Sequence, residues 1–241
     1  RDYGNESFGY ADMPVFVGSM RYGITDMLNG EAHAEFSEDL VMGGIGAAYN
    51  AGQFGMFNAA VAASLLDNEA GFLAYGSWDV QYGDFGLSLS TSRTFGNFAD
   101  LAAATAVPID GKVNSGIPEA LDRISVNYAM RDIKAGVGLS LIHRLASDGE
   151  RSLILGGGYS QNFAGGISVY ANVFADFGDE EDYGAVIGFS MPLGETMNGS
   201  ANGYADKSNL SAVAEVSKPH SKEPLSTTWR VAHTEGSDRQ T

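Results

Sequence analysis

Apolar and polar residues alternate along most of this chain, in short runs that are separated by glycine-rich turns. The run Gly166–Asp176 places Val169 and Val173 on one side, and Tyr170 and Asn172 on the other. Strict alternation is typical of a β-strand whose two faces meet different surroundings. The pattern recurs with no helical stretch. It predicts an all-β fold, an antiparallel up-and-down transmembrane β-barrel with lipid outside and water inside.

The alternating runs predict about 14 strands, each near the ~9–11 residues that cross a bilayer at a tilt. Their predicted ranges are Val15–Ile24, Glu31–Phe36, Val41–Tyr49, Met56–Leu65, Phe72–Tyr82, Gly86–Thr94, Ile124–Met130, Gly136–Arg144, Ser152–Ser160, Gly166–Asp176, Tyr183–Met191, Met197–Ala205, Asn209–Ser217 and Thr227–Thr234. The polar stretch 1–12 predicts a loop before the first strand. The one long interruption, 95–122, contains Pro108 and Pro118 and predicts a long extracellular loop, because barrels of this type have longer loops on that side.

A soluble β-sandwich is the alternative, since its strands also alternate between a core side and a water side. Two features favour the barrel. The non-apolar face carries unusually small side chains, and aromatic residues cluster near predicted strand ends, as in the girdles of membrane barrels. These aromatic residues are Tyr22, Tyr49, Tyr82, Tyr128, Tyr159, Tyr183 and Trp229. No run approaches the roughly 18 apolar residues of a membrane helix.

Charge and cysteine content limit the possible partners and chemistry. The chain has 14 Lys and Arg against 30 Asp and Glu, a net charge of −16, so we expect no nucleic-acid partner. It has no cysteine, which excludes disulfides, thiol nucleophiles and Cys-ligated metals and fits an oxidising compartment such as the periplasm. The first residue is Arg1 and the last residues, 236–241, are polar, from which we expect a piece of a longer protein.

The second predicted strand carries Glu31, His33 and Glu35 on one face. This cluster has the residue types of a metal site or an acid–base pair, but a water-filled pore face explains it more simply. We predict a wet pore lining formed by Arg21, Glu31, His33, Glu35, Asp79, Gln81 and Arg93. We expect no catalytic residue, metal or cofactor.

Three further motifs have simple explanations. The acidic run Asp179–Asp182 lacks the alternating ligands and glycine of a calcium-binding EF-hand loop, so we interpret it as a solvated external loop. Gly43–Gly46 and Gly156–Gly158 neither open a helix nor precede a phosphate-binding lysine, which makes them strand glycines. The chain has no Gly-x-Ser-x-Gly elbow, and no Ser, His and Asp trio stands out.

Several short motifs resemble the barrel of fimbrial outer-membrane ushers, in the same order and at compatible spacings over essentially the whole chain. They are Met20–Asp26 (MRYGITD), Glu31–Glu35 (EAHAE), Leu87–Thr94 (LSLSTSRT), Asp176–Gly184 (DFGDEEDYG), Met191–Gly194 (MPLG) and Val216–Pro219 (VSKP). Each motif is weak alone, and their common order is fairly specific.

The resemblance implies that residues 1–241 are the central-to-C-terminal part of a large translocation barrel. Ushers of the chaperone–usher pathway also have a plug domain and N-terminal and C-terminal periplasmic domains, none of which we recognise here. The implied function is translocation of pilus subunits and fimbrium biogenesis, without enzymatic activity. The implied partners are periplasmic chaperone–pilin subunit complexes, pilus subunits and the lipid bilayer, and the implied location is the bacterial outer membrane. A small general porin and a barrel-borne outer-membrane enzyme are the alternatives.

Overall fold

The computed structural model describes residues 14–105, 117–219 and 227–237. These residues form the strands β1 (Phe16–Gly23), β2 (Leu28–Phe36), β3 (Leu40–Asn50), β4 (Met56–Leu66), β5 (Glu69–Tyr82), β6 (Phe85–Gly96), β7 (Ala120–Met130), β8 (Ala135–Leu145), β9 (Arg151–Asn162), β10 (Ser168–Asp176), β11 (Asp182–Pro192), β12 (Asn198–Asp206), β13 (Leu210–Lys218) and β14 (Trp229–Gly236). They also form a short helix, α1 (Leu101–Ala104), and 3₁₀ turns at Gly52–Phe54, Arg131–Ile133 and Ala164–Gly166.

The 14 strands follow one another in a single antiparallel sheet, in the order β1 to β14. The predicted all-β, up-and-down fold is therefore confirmed. The expected absence of helix is wrong at α1, where Asp100 caps the first turn by accepting the backbone N–H of Ala103 at 2.8 Å. Leucine and alanine, which follow the cap, are strong helix formers. No described helix is long and apolar enough to cross a membrane.

The strands fall into two compact units. The first lies within Arg1–Val80, Leu89–Asp122 and Arg144–Glu150, and the second lies within Gln81–Ser88, Arg123–His143 and Arg151–Thr241. In the first unit, β1 to β5 are paired without an interruption of register. In the second, the same holds for β9 to β14. The predicted alternation of apolar and polar residues therefore gives each unit two distinct sheet faces.

The connections between strands have the backbone angles that their turn residues favour. Asp67 and Asn68 join β4 to β5, and both have positive φ angles, 49° and 66°, as a two-residue type I′ hairpin requires. The predicted loop 95–122 is shorter at both ends, because β6 continues to Gly96 and β7 begins at Ala120. Residues 106–116 of that loop, and the predicted loop 1–12, lie outside the described residues.

Each unit has a polar face and an apolar face. In the first unit, the polar face carries Ser19, Arg21, Glu31, His33, Glu35, Asn58, Ser64, Ser77 and Asp79, and the apolar face carries Phe16, Met20, Val41, Ile45, Val61, Leu65 and Phe72. In the second, the polar face carries Ser168, Tyr170, Asn172, Ser190, Ser200, Asn202 and Glu215, and the apolar face carries Val169, Val173, Ile187, Phe189, Val216 and Val231. The apolar faces are exposed: Ile45 is 66% accessible and Ile187 is 63% accessible.

Candidate functional site

The polar face of the first unit begins with an ion pair between its first two strands. Arg21 lies directly opposite Glu31 in the β1–β2 register, and its guanidinium contacts the Glu31 carboxylate. Both side chains are well exposed, so the pair stabilises the sheet by no more than ~1 kcal/mol. Its larger effect is local, because it compensates two charges at the start of the predicted lining.

Next to this pair, Ser19 lies directly opposite His33 in the same register. The His33 side chain in turn contacts Glu35, two residues further along β2. The Ser19 Oγ lies 2.7 Å from His33 Nδ1, and His33 Nε2 lies 2.9 Å from Glu35 Oε1. With a neutral imidazole, Nε2–H donates to the Glu35 carboxylate and Nδ1 accepts the Ser19 hydroxyl proton. The two hydrogen bonds therefore link the three side chains in one row.

The second oxygen of Glu35 holds a segment from the long β6–β7 connection, residues 97–105, which we call the strap. Glu35 Oε2 accepts the backbone N–H of Leu101 at 2.6 Å, and Ser64 Oγ accepts the backbone N–H of Ala99 at 2.9 Å. Leu101 is the first residue of α1, so Glu35 satisfies one of the backbone donors that the short helix leaves free. The strap is thus attached to the polar face through its main chain.

A glycine on β5 permits the close approach of the strap. The Asn97 N–H donates to the Ala70 carbonyl at 3.1 Å, and Asn97 Nδ2 donates to Glu69 Oε2 at 2.7 Å. A Cβ atom at Gly71 would overlap the backbone N and Cα atoms of Phe98. Only glycine fits at this position of β5 while the strap stays in place.

Apolar packing completes the attachment. Leu40 is fully buried, and Met42 and Ala99 are 7% and 4% accessible. The partly buried side chains around them are Ala62, Leu66, Phe98, Leu101, Ala103 and Ala104. This buried apolar cluster lies on the otherwise polar face, between strands and strap.

Asp79 and Gln81 follow Ser77 on the same side of β5, as predicted. Asp79 lies opposite Met56 of β4. Gln81 Nε2 donates to the Gly83 carbonyl at 2.9 Å, which ties its side chain to the β5–β6 turn. Asp79 therefore lies on the polar side of β5 but outside the Ser19–His33–Glu35 row.

Arg93 lies on the other side of the sheet from the other predicted lining residues. It follows Leu89 by four positions on β6 and precedes Phe95, whose ring centroid lies 6.3 Å from that of Phe72 on the apolar face. Arg93 forms a two-pronged pair with Asp122, at 2.8 Å and 2.9 Å. A two-pronged ion pair of this kind is strong, and it compensates the positive charge of Arg93. Because Arg93 follows Leu89 by an even number of positions, the sequence alone indicates that both side chains lie on the same face of β6.

The sequence analysis did not predict the side-chain contacts that join neighbouring strands. Ser19 and Ser64 were not predicted as site residues, and neither was the Glu215–Arg230 pair, in which Arg230 Nε lies 2.7 Å from Glu215 Oε2. No group of three or more His, Asp or Glu side chains in the described ranges could hold a metal ion. On β2, Glu31 instead pairs with Arg21, and His33 and Glu35 bind each other.

A hydrogen bond crosses β11 on the polar face of the second unit. Tyr170 Oη donates to Asn202 Oδ1 at 2.6 Å, and Gly188 lies directly between them in the register. A Cβ at Gly188 would lie 2.6 Å from Tyr170 Cζ and would also meet Asn202 Oδ1. The glycine therefore makes room for this contact.

We expect Gly188→Ala to break the Tyr170–Asn202 hydrogen bond and lower the free energy of unfolding by about 1 kcal/mol. Urea unfolding of the refolded protein in lipid vesicles measures this change. Gly203→Ala is the control, because its Cβ would meet only Ile187 Cγ2 at 3.6 Å and the Ile187 carbonyl at 4.0 Å. Equal loss of stability in both variants would contradict the role given to Gly188.

The sequence matches no protein-family model and no curated protein. Solved structures, however, match its fold. The P pilus usher (PapC) translocation pore has a TM-score of 0.59 at 14% identity, over 92% of this chain and 48% of that chain. The E. coli P pilus tip assembly intermediate PapC–PapD–PapK–PapG has a TM-score of 0.73 at 16% identity, over 99% of this chain and 30% of the matched chain.

The chain has an usher-like β-barrel fold. It spans less than half the length of both usher chains that it matches, 48% and 30%. A bacterial polysaccharide outer membrane secretin also matches, with a TM-score of 0.51 at 10% identity, over 93% of this chain and 89% of that chain. The usher-like fold is thus shared with other barrels of the outer membrane, and the low identities establish the fold alone.

Proposed function

We propose that this chain forms part of an outer-membrane usher pore, which translocates chaperone-delivered pilus subunits and serves as a platform for pilus assembly. The observation that carries the proposal is the fold likeness, at a TM-score of 0.73 over 99% of the chain, to an usher caught with PapD, PapK and PapG. The ordered usher-like motifs support it independently. Periplasmic chaperone–pilin complexes are the corresponding partners.

The two faces fit opposite surroundings in such a pore. An exposed apolar face is costly in water and favourable against lipid tails, and a barrel satisfies its backbone hydrogen bonds within the wall. The polar face then borders the conduit, where the Arg21–Glu31 and Glu215–Arg230 pairs offer compensated charges to a passing folded subunit. The strap lies on that face and narrows the conduit.

Assembly by such a pore needs no cofactor. Donor-strand complementation adds a β-strand to an exposed sheet edge, and the main-chain hydrogen bonds provide the free energy. The chain would then contribute a smooth, wet passage for the subunits. Arg93 would lie on the lipid side with its charge paired to Asp122.

A photo-crosslinking pair tests both the partner and the face. Ala60 lies on the polar face of β4, and its neighbour Val61 lies on the apolar face. With a benzoylphenylalanine at position 60, we expect adducts with pilus subunits in cells that secrete fibres. The same probe at position 61 meets lipid and gives none. Surface fibres that persist after deletion of the gene, or equal adducts at both positions, would overturn the proposal.

A self-contained channel is the second candidate. It is favoured by the match to the polysaccharide secretin, which includes 89% of that chain. An unboiled gel of the native outer-membrane fraction separates the two. A heat-shifting band several times larger than 25.4 kDa supports the usher pore, and one near 25.4 kDa supports the channel.

A further inference from the structure

A hydroxyl, an imidazole and a carboxylate lie in sequence on the polar face of β1 and β2. We propose that Ser19, His33 and Glu35 form a nucleophilic site that hydrolyses a small carboxylic ester. This inference goes beyond the conduit function and does not depend on it. It also differs from the sequence-based expectation, because the trio becomes visible only when β1 and β2 are placed in register.

The geometry meets the requirements of an activated serine. The nucleophile must contact a base, and the base must contact a group that orients it, each at hydrogen-bond distance. Ser19 Oγ lies 2.7 Å from His33 Nδ1, and His33 Nε2 lies 2.9 Å from Glu35 Oε1. Glu35 is in turn fixed by the Leu101 N–H on its other oxygen, at 2.6 Å.

An open trough of about 500 Å³ lies beside the hydroxyl. Small residues line it on β3 and β4, among them Gly44, Gly46, Ala60 and Ala62. A Cβ at Gly44 would lie 3.0 Å from the Ala62 Cβ, so a larger side chain would begin to fill the space. A slender acyl chain fits such a trough. Arg21, two positions along β1, also lines the trough, and its guanidinium pairs with Glu31.

The reaction balances with water as the only co-reactant. Ser19 Oγ attacks the ester carbonyl carbon and forms a new C–O bond, while the hydroxyl proton passes to His33 Nδ1. The carbonyl reforms, the bond to the leaving alkoxide breaks, and the alkoxide takes the proton from Nδ1. Water then attacks the acyl–serine with the same base and releases the carboxylic acid. The Glu35 carboxylate accepts the Nε2–H hydrogen bond and stabilises the imidazolium.

A fluorophosphonate probe tests the nucleophile directly, because it phosphonylates an activated serine. We expect the full-length protein in native outer-membrane vesicles, in its heat-modifiable folded form, to be labelled on the peptide that contains Ser19. Ser19→Ala should reduce labelling to background, and His33→Asn should slow it by about 10²–10⁴-fold, the usual contribution of a general base.

Ser77→Ala is the matched control, because Ser77 lies on the same face but bonds to Asn58 Nδ2 at 2.9 Å and to no imidazole. It should be labelled as fast as the parent. All variants are compared only in the heat-modifiable band, so a folding defect cannot imitate a loss of reactivity. A folded parent protein without label, or equal labelling of Ser19→Ala and parent, would overturn the proposal and leave the conduit function untouched.

Discussion

Replacing Ile187 by arginine is expected to lower the free energy of unfolding in a lipid bilayer by about 2–4 kcal/mol, the cost of a cation on the lipid side near the bilayer midplane. Ile187 lies in the middle of β11, is 63% exposed, and has Ala171 and Gly203 as its cross-strand neighbours. Neither neighbour has a carboxylate, and the row continues through Ala212 to Glu235, three strands away on β14. Urea unfolding of the protein in lipid vesicles measures the change.

Ser190→Arg is the control for this substitution. It adds the same charge to the same strand, but on the polar face, where Ser168 and Ser200 flank it. There the guanidinium stays hydrated, and we expect a change within about 0.5 kcal/mol, as for most surface substitutions. If both variants lose the same free energy, the apolar face does not border lipid, and the soluble sandwich returns as the better interpretation of the alternation.

The strands could be predicted from sequence because side chains in a β-strand alternate between two faces with a period of two residues. This alternation is visible within each run of the sequence, without reference to any other strand. Val169 and Tyr170 illustrate this, since their faces follow from alternation and the structure confirms them. The same rule, applied fully to β6, would also have placed Arg93 with Leu89. That placement needs no knowledge of neighbouring strands.

The Ser19–His33 contact could not be predicted in the same way. It depends on the register between β1 and β2, which the intervening turn sets. The N–H groups of Ile24 and Thr25 both donate to the Leu28 carbonyl, at 2.8 Å and 3.0 Å. A shift of one residue in this turn would place the imidazole beside the other face of β1. Such backbone geometry has no clear signal in a single sequence.

The strap shows a second limit of the sequence pattern. Residues 95–122 predict a long loop whose external location stays a prediction, and the pattern gives no sign that residues 97–105 lie on strands of the polar face. Their docking depends on Gly71, which resembles any other strand glycine in the sequence. Its role follows from the overlap that a Cβ would make with Phe98, a residue 27 positions away. Long-range contacts of this kind appear only in the folded chain.

Replacing Gly71 by alanine is therefore expected to displace the strap. The added methyl group overlaps backbone atoms of Phe98, which cannot move aside unless the strap lifts. Overpacking of this kind costs about 1–3 kcal/mol. The chain has no cysteine, so Ala99→Cys provides a unique reporter at a site that is only 4% exposed. We expect maleimide to label this cysteine about tenfold faster, or more, when Gly71→Ala is also present.

Gly76→Ala is the matched control, because it makes the same change on the same strand but on the opposite face, where the nearest atom to its Cβ would be Thr91 Cγ2 at 3.9 Å. It should leave the reporter protected. Because the strap covers part of the polar face, lifting it should also raise the single-channel conductance of the full-length pore, whereas Gly76→Ala should not. Equal labelling in the two variants would show that the strap is not held through Gly71. Faster labelling without a rise in conductance would show that the strap is released but does not narrow the conduit.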